Sequence, residues 1–197
     1  MSEVQISKME YIEEQTFENK DYSENSLIRG TYESCRFLNC NFSNANLSEI
    51  KFIECEFVEC NLSNSKLDNT SLQDVKFENC KMLGLQFESC NEFGFSCEFS
   101  GCTLNHSSFY QNKIRKTRFS SSQLHEVDFT EADLSEAIFD DCDLTRAIFD
   151  RTNLVKTDFK SSYNYSIDPE NNRIKKAIFS QDGLAGLLAK YQIDVRK

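Results

Sequence analysis

From Phe17 onward every fifth residue is apolar or aromatic: Phe17, Tyr22, Leu27, Tyr32, Phe37, Phe42, Leu47, Phe52, Phe57, Leu62, Leu67, Leu72, Phe77, Met82 and Phe87. The register then slips by two residues and resumes as Phe99, Leu104, Phe109, Ile114, Phe119, Leu124, Phe129, Leu134, Phe139, Leu144, Phe149, Leu154 and Phe159. All twenty-eight positions are apolar in a chain that averages 39% hydrophobic, so the period is not a chance pattern. Five matches neither the 3.6-residue turn of an α-helix nor the two-residue alternation of a flat strand, so neither element can run through the repeat. A coil that makes a short extended segment, turns and repeats does satisfy it.

A second restricted position lies two residues before each centre and holds small or β-branched residues, among them Cys35, Cys40, Ala45, Cys55, Ser65, Thr70, Val75, Ala132, Ala137 and Ala147. Residues two apart on an extended segment face the same way, so both positions point inward. The other three are mostly Asn, Ser, Asp, Glu, Lys and Arg, as an outward face and a corner require. A longer period is also present, because TYESCRFLNCNFSNANL at 31–47 realigns with KFIECEFVECNLSNSKL at 51–67. Twenty residues, four pentads, therefore make one coil.

The stretches ANLSE at 45–49, ADLSE at 132–136, CDLTR at 142–146 and AIFDR at 147–151 carry a small residue, then Asp or Asn or an apolar residue, then Leu or Phe. In this the chain resembles the pentapeptide-repeat family over about residues 15–160. The resemblance implies an all-β solenoid, a right-handed quadrilateral β-helix with four pentads per coil. Seven coils at one strand spacing each give a rod of roughly 34 Å. Its stability is expected to be a sum of coil and nearest-neighbour terms, with a cap at each end against edge-to-edge growth.

The expected organisation is an N-terminal cap at 1–14, a first repeat block at 15–90, an insertion at 91–98, a second block at 99–180, and a C-terminal helix and tail at 181–197. The insertion carries Phe93, Gly94 and Phe95 out of frame. It reads either as a hinge or contact loop, or as a bulge in which the two Phe fill space. Ile174 and Phe179 keep phase with Phe159, so a last coil closes there. Leu184, Leu187, Leu188 and Tyr191 then fall at i, i+3, i+4 and i+7, the face of a short amphipathic α-helix, with Ser180 as its N-cap and Asp182 in the first turn. That helix either only covers the last coil or also meets a second copy through these four residues, making a homodimer.

Charge divides the chain. Residues 1–98 hold 18 acidic and 8 basic residues, while residues 99–197 hold 14 of each, for a net charge of -10. Such a balance argues against direct nucleic-acid binding. No apolar run reaches the length of a membrane span, and no secretory leader pattern opens the sequence, so a cytoplasmic location is expected.

The nine cysteines follow the repeat. Eight (Cys35, Cys40, Cys55, Cys60, Cys80, Cys97, Cys102 and Cys142) occupy the small inward position, and Cys90 stands where the first register would place it. They read as buried small hydrophobes, reduced in a cytosolic protein, although Cys40, Cys60 and Cys80 should stack within disulfide range. The spacings lack a zinc pattern such as C-x2-C. The two histidines, His106 and His125, accompany no nucleophile, phosphate-loop or metal motif, and His125 is expected to face solvent. Neither an enzymatic activity nor a cofactor is expected.

Two binding functions remain open. The run FENKDYSENSL leading into CRFLNCNFSNANLSEIKF, the break near the middle and LAGLLAKYQIDV are similar to those of Qnr-type pentapeptide proteins. That resemblance implies a DNA mimic that engages DNA gyrase or topoisomerase IV. Its anionic ridge would consist of Glu54, Glu56, Glu59 and Glu78 in the first half, and Glu126, Asp128, Glu131, Asp133, Glu136, Asp140, Asp141, Asp143 and Asp150 in the second. The long loops of that group are missing, and Arg146, Arg151, Lys156 and the run KIRKTR at 113–118 break the ridge. The alternative is a scaffold for a different protein partner, with Phe93 and Phe95 as the contact.

Overall fold

The computed structural model describes residues 10–193. They form a parallel β-solenoid. A nine-stranded parallel sheet runs the length of the molecule through Phe17, Phe37, Phe57, Phe77, Phe99, Phe119, Phe139, Phe159 and Phe179. A four-stranded parallel sheet on a neighbouring face stacks Glu10–Glu13, Gly30–Glu33, Lys51–Ile53 and Ser71–Gln73. Single bridges continue the remaining faces, for example Asn41 to Asn61 to Lys81 to Thr103. Partners lie twenty residues apart, and twenty-two apart across the insertion, as in Phe37 to Phe57 and Phe77 to Phe99.

The five-residue period builds this shape at the corners. The residue two after nearly every centre sits in the left-handed region, from Glu14 at φ 52° to Lys176 at 61°. Such a residue bends the backbone onto the next face, and most of them donate their N–H to a carbonyl on the following coil, as Asn44 does to Ser63 at 2.9 Å. A side-chain Cβ is uncomfortable there, which explains the many Asn and the occasional Gly at this position.

Inside, the centres stack in columns. Phe99, Phe119 and Phe139 lie nearly parallel, with ring centroids 5.0 and 4.8 Å apart, while neighbouring columns meet edge-on, as Phe109 meets Phe119 at 5.9 Å and 87°. Face stacking along the rod and edge-to-face contact across it satisfy the ring quadrupoles together. Twelve Phe side chains are essentially fully buried, each stabilising the fold by about 1.5–3 kcal/mol relative to exposure.

The small inward residue does more than leave space. Its thiol or hydroxyl donates to the carbonyl of a centre on the preceding coil: Cys55 to Tyr32 at 3.2 Å, Cys60 to Phe37 at 3.2 Å, Thr70 to Leu47 at 2.8 Å, Thr152 to Phe129 at 2.9 Å. A buried hydroxyl without a partner would be costly, and in these pairs the carbonyl of the preceding coil supplies one. All nine cysteines are buried free thiols, and burial pushes those of Cys55 and Cys142 up to about 12.

At both ends the structure departs from the sequence reading. The solenoid reaches back to Glu10, where Ile12 stacks on Tyr32; residues 1–9 of the expected N-terminal cap lie outside the described residues. At the other end the amphipathic α-helix is absent. Asp182–Leu187 and Ala189–Tyr191 are two 3-10 helices. The cause is local: Gly183 and Gly186 weaken α-helix formation and are pressed against Tyr165. A Cβ on Gly186 would come within 2.2 Å of the Tyr165 carbonyl oxygen, and the Gly186 carbonyl accepts the N–H of Ile167 at 3.1 Å. Ser180 does cap the segment, its Oγ accepting the Gly183 N–H at 3.0 Å.

Candidate protein-binding surface

Stacking at coil spacing brings residues twenty apart side by side on the surface, which fixes what each acidic side chain meets. In the second half it meets bases. Glu126 lies between Arg146 at 2.9 Å and His106 at 3.4 Å; Arg151 reaches Glu131 at 2.9 Å and Asp150 at 3.2 Å. Lys156 reaches Glu136 at 3.0 Å, Arg115 reaches Asp133 at 2.6 Å and Arg118 reaches Asp140 at 3.6 Å. Lys156 holds the Glu136 carboxyl below the usual range. Of the remaining second-half candidates, Asp128 accepts the Thr130 N–H at 2.8 Å and Asp141 the Ser121 hydroxyl at 3.3 Å.

Asp143 is the most constrained of these acids. Partial burial pushes its pKa up, but hydrogen bonds from Thr145, Asn164 and His125 outweigh that and bring it to about 2. His125 places Nε2 at 2.8 Å from its Oδ2 and is only partly exposed. The expectation that His125 faces open solvent is therefore corrected: its ring folds back along the rod onto the neighbouring coil's carboxylate.

The first half differs. Glu56 is bridged by Arg36 at 2.9 Å and approached by Lys76 at 3.9 Å. Glu54, Glu59 and Glu78 make no ion pair among the described residues. Glu59 and Glu78 are neighbours around one corner, the Glu59 N–H bonding the Glu78 carbonyl at 2.8 Å, and both are exposed. Like charges held at coil spacing raise the local negative potential.

The insertion separates its two aromatic rings. The Asn91 N–H still bonds the Thr70 carbonyl, twenty-one residues back, the same step as Asn41 to Lys20, while Val75 pairs with Cys97, twenty-two on rather than twenty, so the two extra residues lie between Asn91 and Cys97. Phe95 turns inward, packs on the core and meets Phe87 edge-on at 6.3 Å. It supplies the core residue that the broken frame lacked. Phe93 is 83% exposed. Reading both as surface contacts is thus corrected: one ring is needed inside, and the bulge leaves the other outside. Gly94, at φ 71°, makes the turn between them.

Of the four residues expected at a dimer interface, Leu187 packs on the core, whereas Leu184, Leu188 and Tyr191 are exposed, with the Tyr191 hydroxyl donating to Glu170 at 2.8 Å. The tail beyond Ile193 lies outside the described residues. Among the described residues no cluster of His, Cys, Asp and Glu could hold a metal ion, and no helix is long and apolar enough to cross a membrane.

The repeat geometry agrees with a comparison against family models, in which the pentapeptide repeat region matches residues 31–92 and 95–163. The chain belongs to the pentapeptide-repeat family. The gap between the two matched segments falls on Phe93 and Gly94, where the bulge stands. No curated protein matches the chain. Among solved structures, two trypsin-treated variants of QnrB1, a plasmid-mediated fluoroquinolone resistance protein, superpose with TM-scores of 0.62 and 0.63 at 17% identity. They cover 93% and 94% of this chain and 99% of their own. HetL from the cyanobacterium Nostoc, a pentapeptide-repeat protein involved in heterocyst differentiation regulation, matches at 14% identity with a TM-score of 0.39, covering 87% of this chain and 90% of its own.

Proposed function

We propose that this chain is a non-catalytic, cytoplasmic protein-binding rod whose first-half acidic surface engages a basic groove on a nucleic-acid-handling protein, with DNA gyrase or topoisomerase IV as the partner that the Qnr resemblance implies. The observation that carries this reading is the contrast between the two halves. Glu59 and Glu78 stand on adjacent coils and make no ion pair among the described residues, whereas Glu126, Glu131 and Glu136 are each bridged. Only unbridged carboxylates keep the field that steers a basic partner and releases the ions around it. The QnrB1 likeness supports a rod of suitable shape; at 17% identity it concerns the fold alone.

A gyrase supercoiling assay and a topoisomerase IV relaxation assay, each with added purified protein, test this reading. Wild type is expected to alter supercoiling at micromolar protein, and Glu59→Lys with Glu78→Lys to weaken the effect by about tenfold or more. No effect of wild type on either enzyme overturns the topoisomerase reading.

A further inference from the structure

One corner of the rod is charged in two opposite halves. Backbone hydrogen bonds trace it on either side of the insertion, through Glu14 to Glu33, Ser34 to Ile53, Glu54 to Gln73 and Val75 to Ser96 below, and Lys116 to Ser135, Glu136 to Val155 and Lys156 to Lys175 above, with the ion pair of Glu92 and Lys113 at 3.5 Å spanning the step between them. Below the insertion this edge presents Glu13, Glu14, Glu33, Glu54 and Asp74. Above it the edge presents Arg115, Lys116, Lys156, Lys175 and Lys176, with Glu136 the one acid among them. At the boundary stands Phe93, 83% exposed, anchored to the edge by a hydrogen bond from Gln73 Nε2 to its carbonyl oxygen at 3.3 Å.

We propose that this edge is a self-complementary surface on which a second copy of the chain docks antiparallel, with a two-fold axis at Phe93. Reversing one copy about the insertion places Glu14 opposite the partner copy's Lys176, Glu13 opposite Lys175 and Asp74 opposite Lys116. None of these six residues has an ion-pair partner within its own chain among the described residues, so the pairing leaves existing bridges intact. Glu54 falls opposite Glu136, which already carries Lys156 at 3.0 Å. The two Phe93 rings meet at the centre, where an aromatic anchor contributes most. An interface that repeats the same patch on both copies closes as a dimer and does not polymerise. It uses neither the C-terminal residues Leu184 and Leu188 nor the Glu59 and Glu78 corner, so it stands apart from the proposed partner surface.

Sedimentation velocity decides the matter in three steps. Wild type is expected to be dimeric at about 20 mM salt and monomeric at about 0.5 M, because screening shortens from roughly 20 Å to about 4 Å. Two triple variants, Glu13→Lys/Glu14→Lys/Asp74→Lys and Lys116→Glu/Lys175→Glu/Lys176→Glu, are each expected to be monomeric alone and to form a heterodimer when mixed. Phe93→Ser is expected to weaken the dimer about tenfold. Unchanged circular dichroism and Tm in every variant exclude unfolding as the cause, and the chain carrying all six reversals should dimerise again. A wild type that stays monomeric at low salt overturns the proposal. So does a mixture of the two triple variants that fails to associate, or a dimer abolished by Leu184→Ser/Leu188→Ser and indifferent to the charge reversals.

Discussion

At the corners, Asn44 shows what the repeat asks of a single residue: at φ 59° it is exposed and has only its backbone to contribute. Asn44→Val should cost about 1–2 kcal/mol, since a β-branched side chain resists the left-handed region, whereas Asn44→Gly should be close to neutral. Urea unfolding of the two variants measures the difference. Asp143 gives a pH-dependent prediction. Its folded pKa of about 2 lies below the unfolded value of about 3.9, so the stabilisation is complete above that unfolded value and is lost as pH falls toward 2. Asp143→Ala should therefore lower Tm by about 2–4 °C at neutral pH. The deficit should shrink below pH ~4 and vanish near pH ~2, as thermal scans across pH would show. The sequence announced that these positions face outward. It did not announce their backbone strain or their partners, because a polar residue at a corner and one on a flat face look alike in a composition pattern.

At the scale of the element, the insertion and the C-terminal segment show how a local rule yields to packing. Phe93 and Phe95 are equivalent in the sequence, and two residues of extra chain can bulge in several ways. Packing against the core beside Phe87 selects Phe95. Phe95→Ala should consequently cost about 2–3 kcal/mol by the cavity it leaves, and Phe93→Ser should stay within about 0.5 kcal/mol. Equal effects in denaturant titrations would mean that the two rings are wrongly assigned. The i, i+3, i+4, i+7 pattern at Leu184 is a sound helical signal, but two glycines and the proximity of Tyr165 convert it to 3-10 turns in which Leu187 is half-buried against the core while Leu184, Leu188 and Tyr191 stay exposed. A periodicity over eight residues cannot outweigh two positions that lack a Cβ and must touch a neighbouring backbone.

Across the whole molecule, the core is one continuous column of Phe, Leu and thiols, with strand pairing along its length from Phe17 to Phe179. The nine thiols are sealed within it, the most accessible being Cys90 at 6%. A thiol reagent such as Ellman's reagent should find essentially no reactive cysteine in the native protein and all nine after denaturation. Reaction of several thiols under native conditions would mean that coils open independently. The surface charges are arranged on this same scale: acids and bases twenty residues apart cancel in the second half and remain uncancelled at Glu59 and Glu78 in the first. The sequence by itself determined the inward positions, the twenty-residue coil and the placement of the cysteines, because every coil imposes the same constraint and the repeat records it many times. The tertiary structure decided which Phe of the insertion is core, what form the C-terminal segment takes and which carboxylates are neutralised. Each of those occurs once, and its outcome depends on side chains that only the stacking of neighbouring coils brings together.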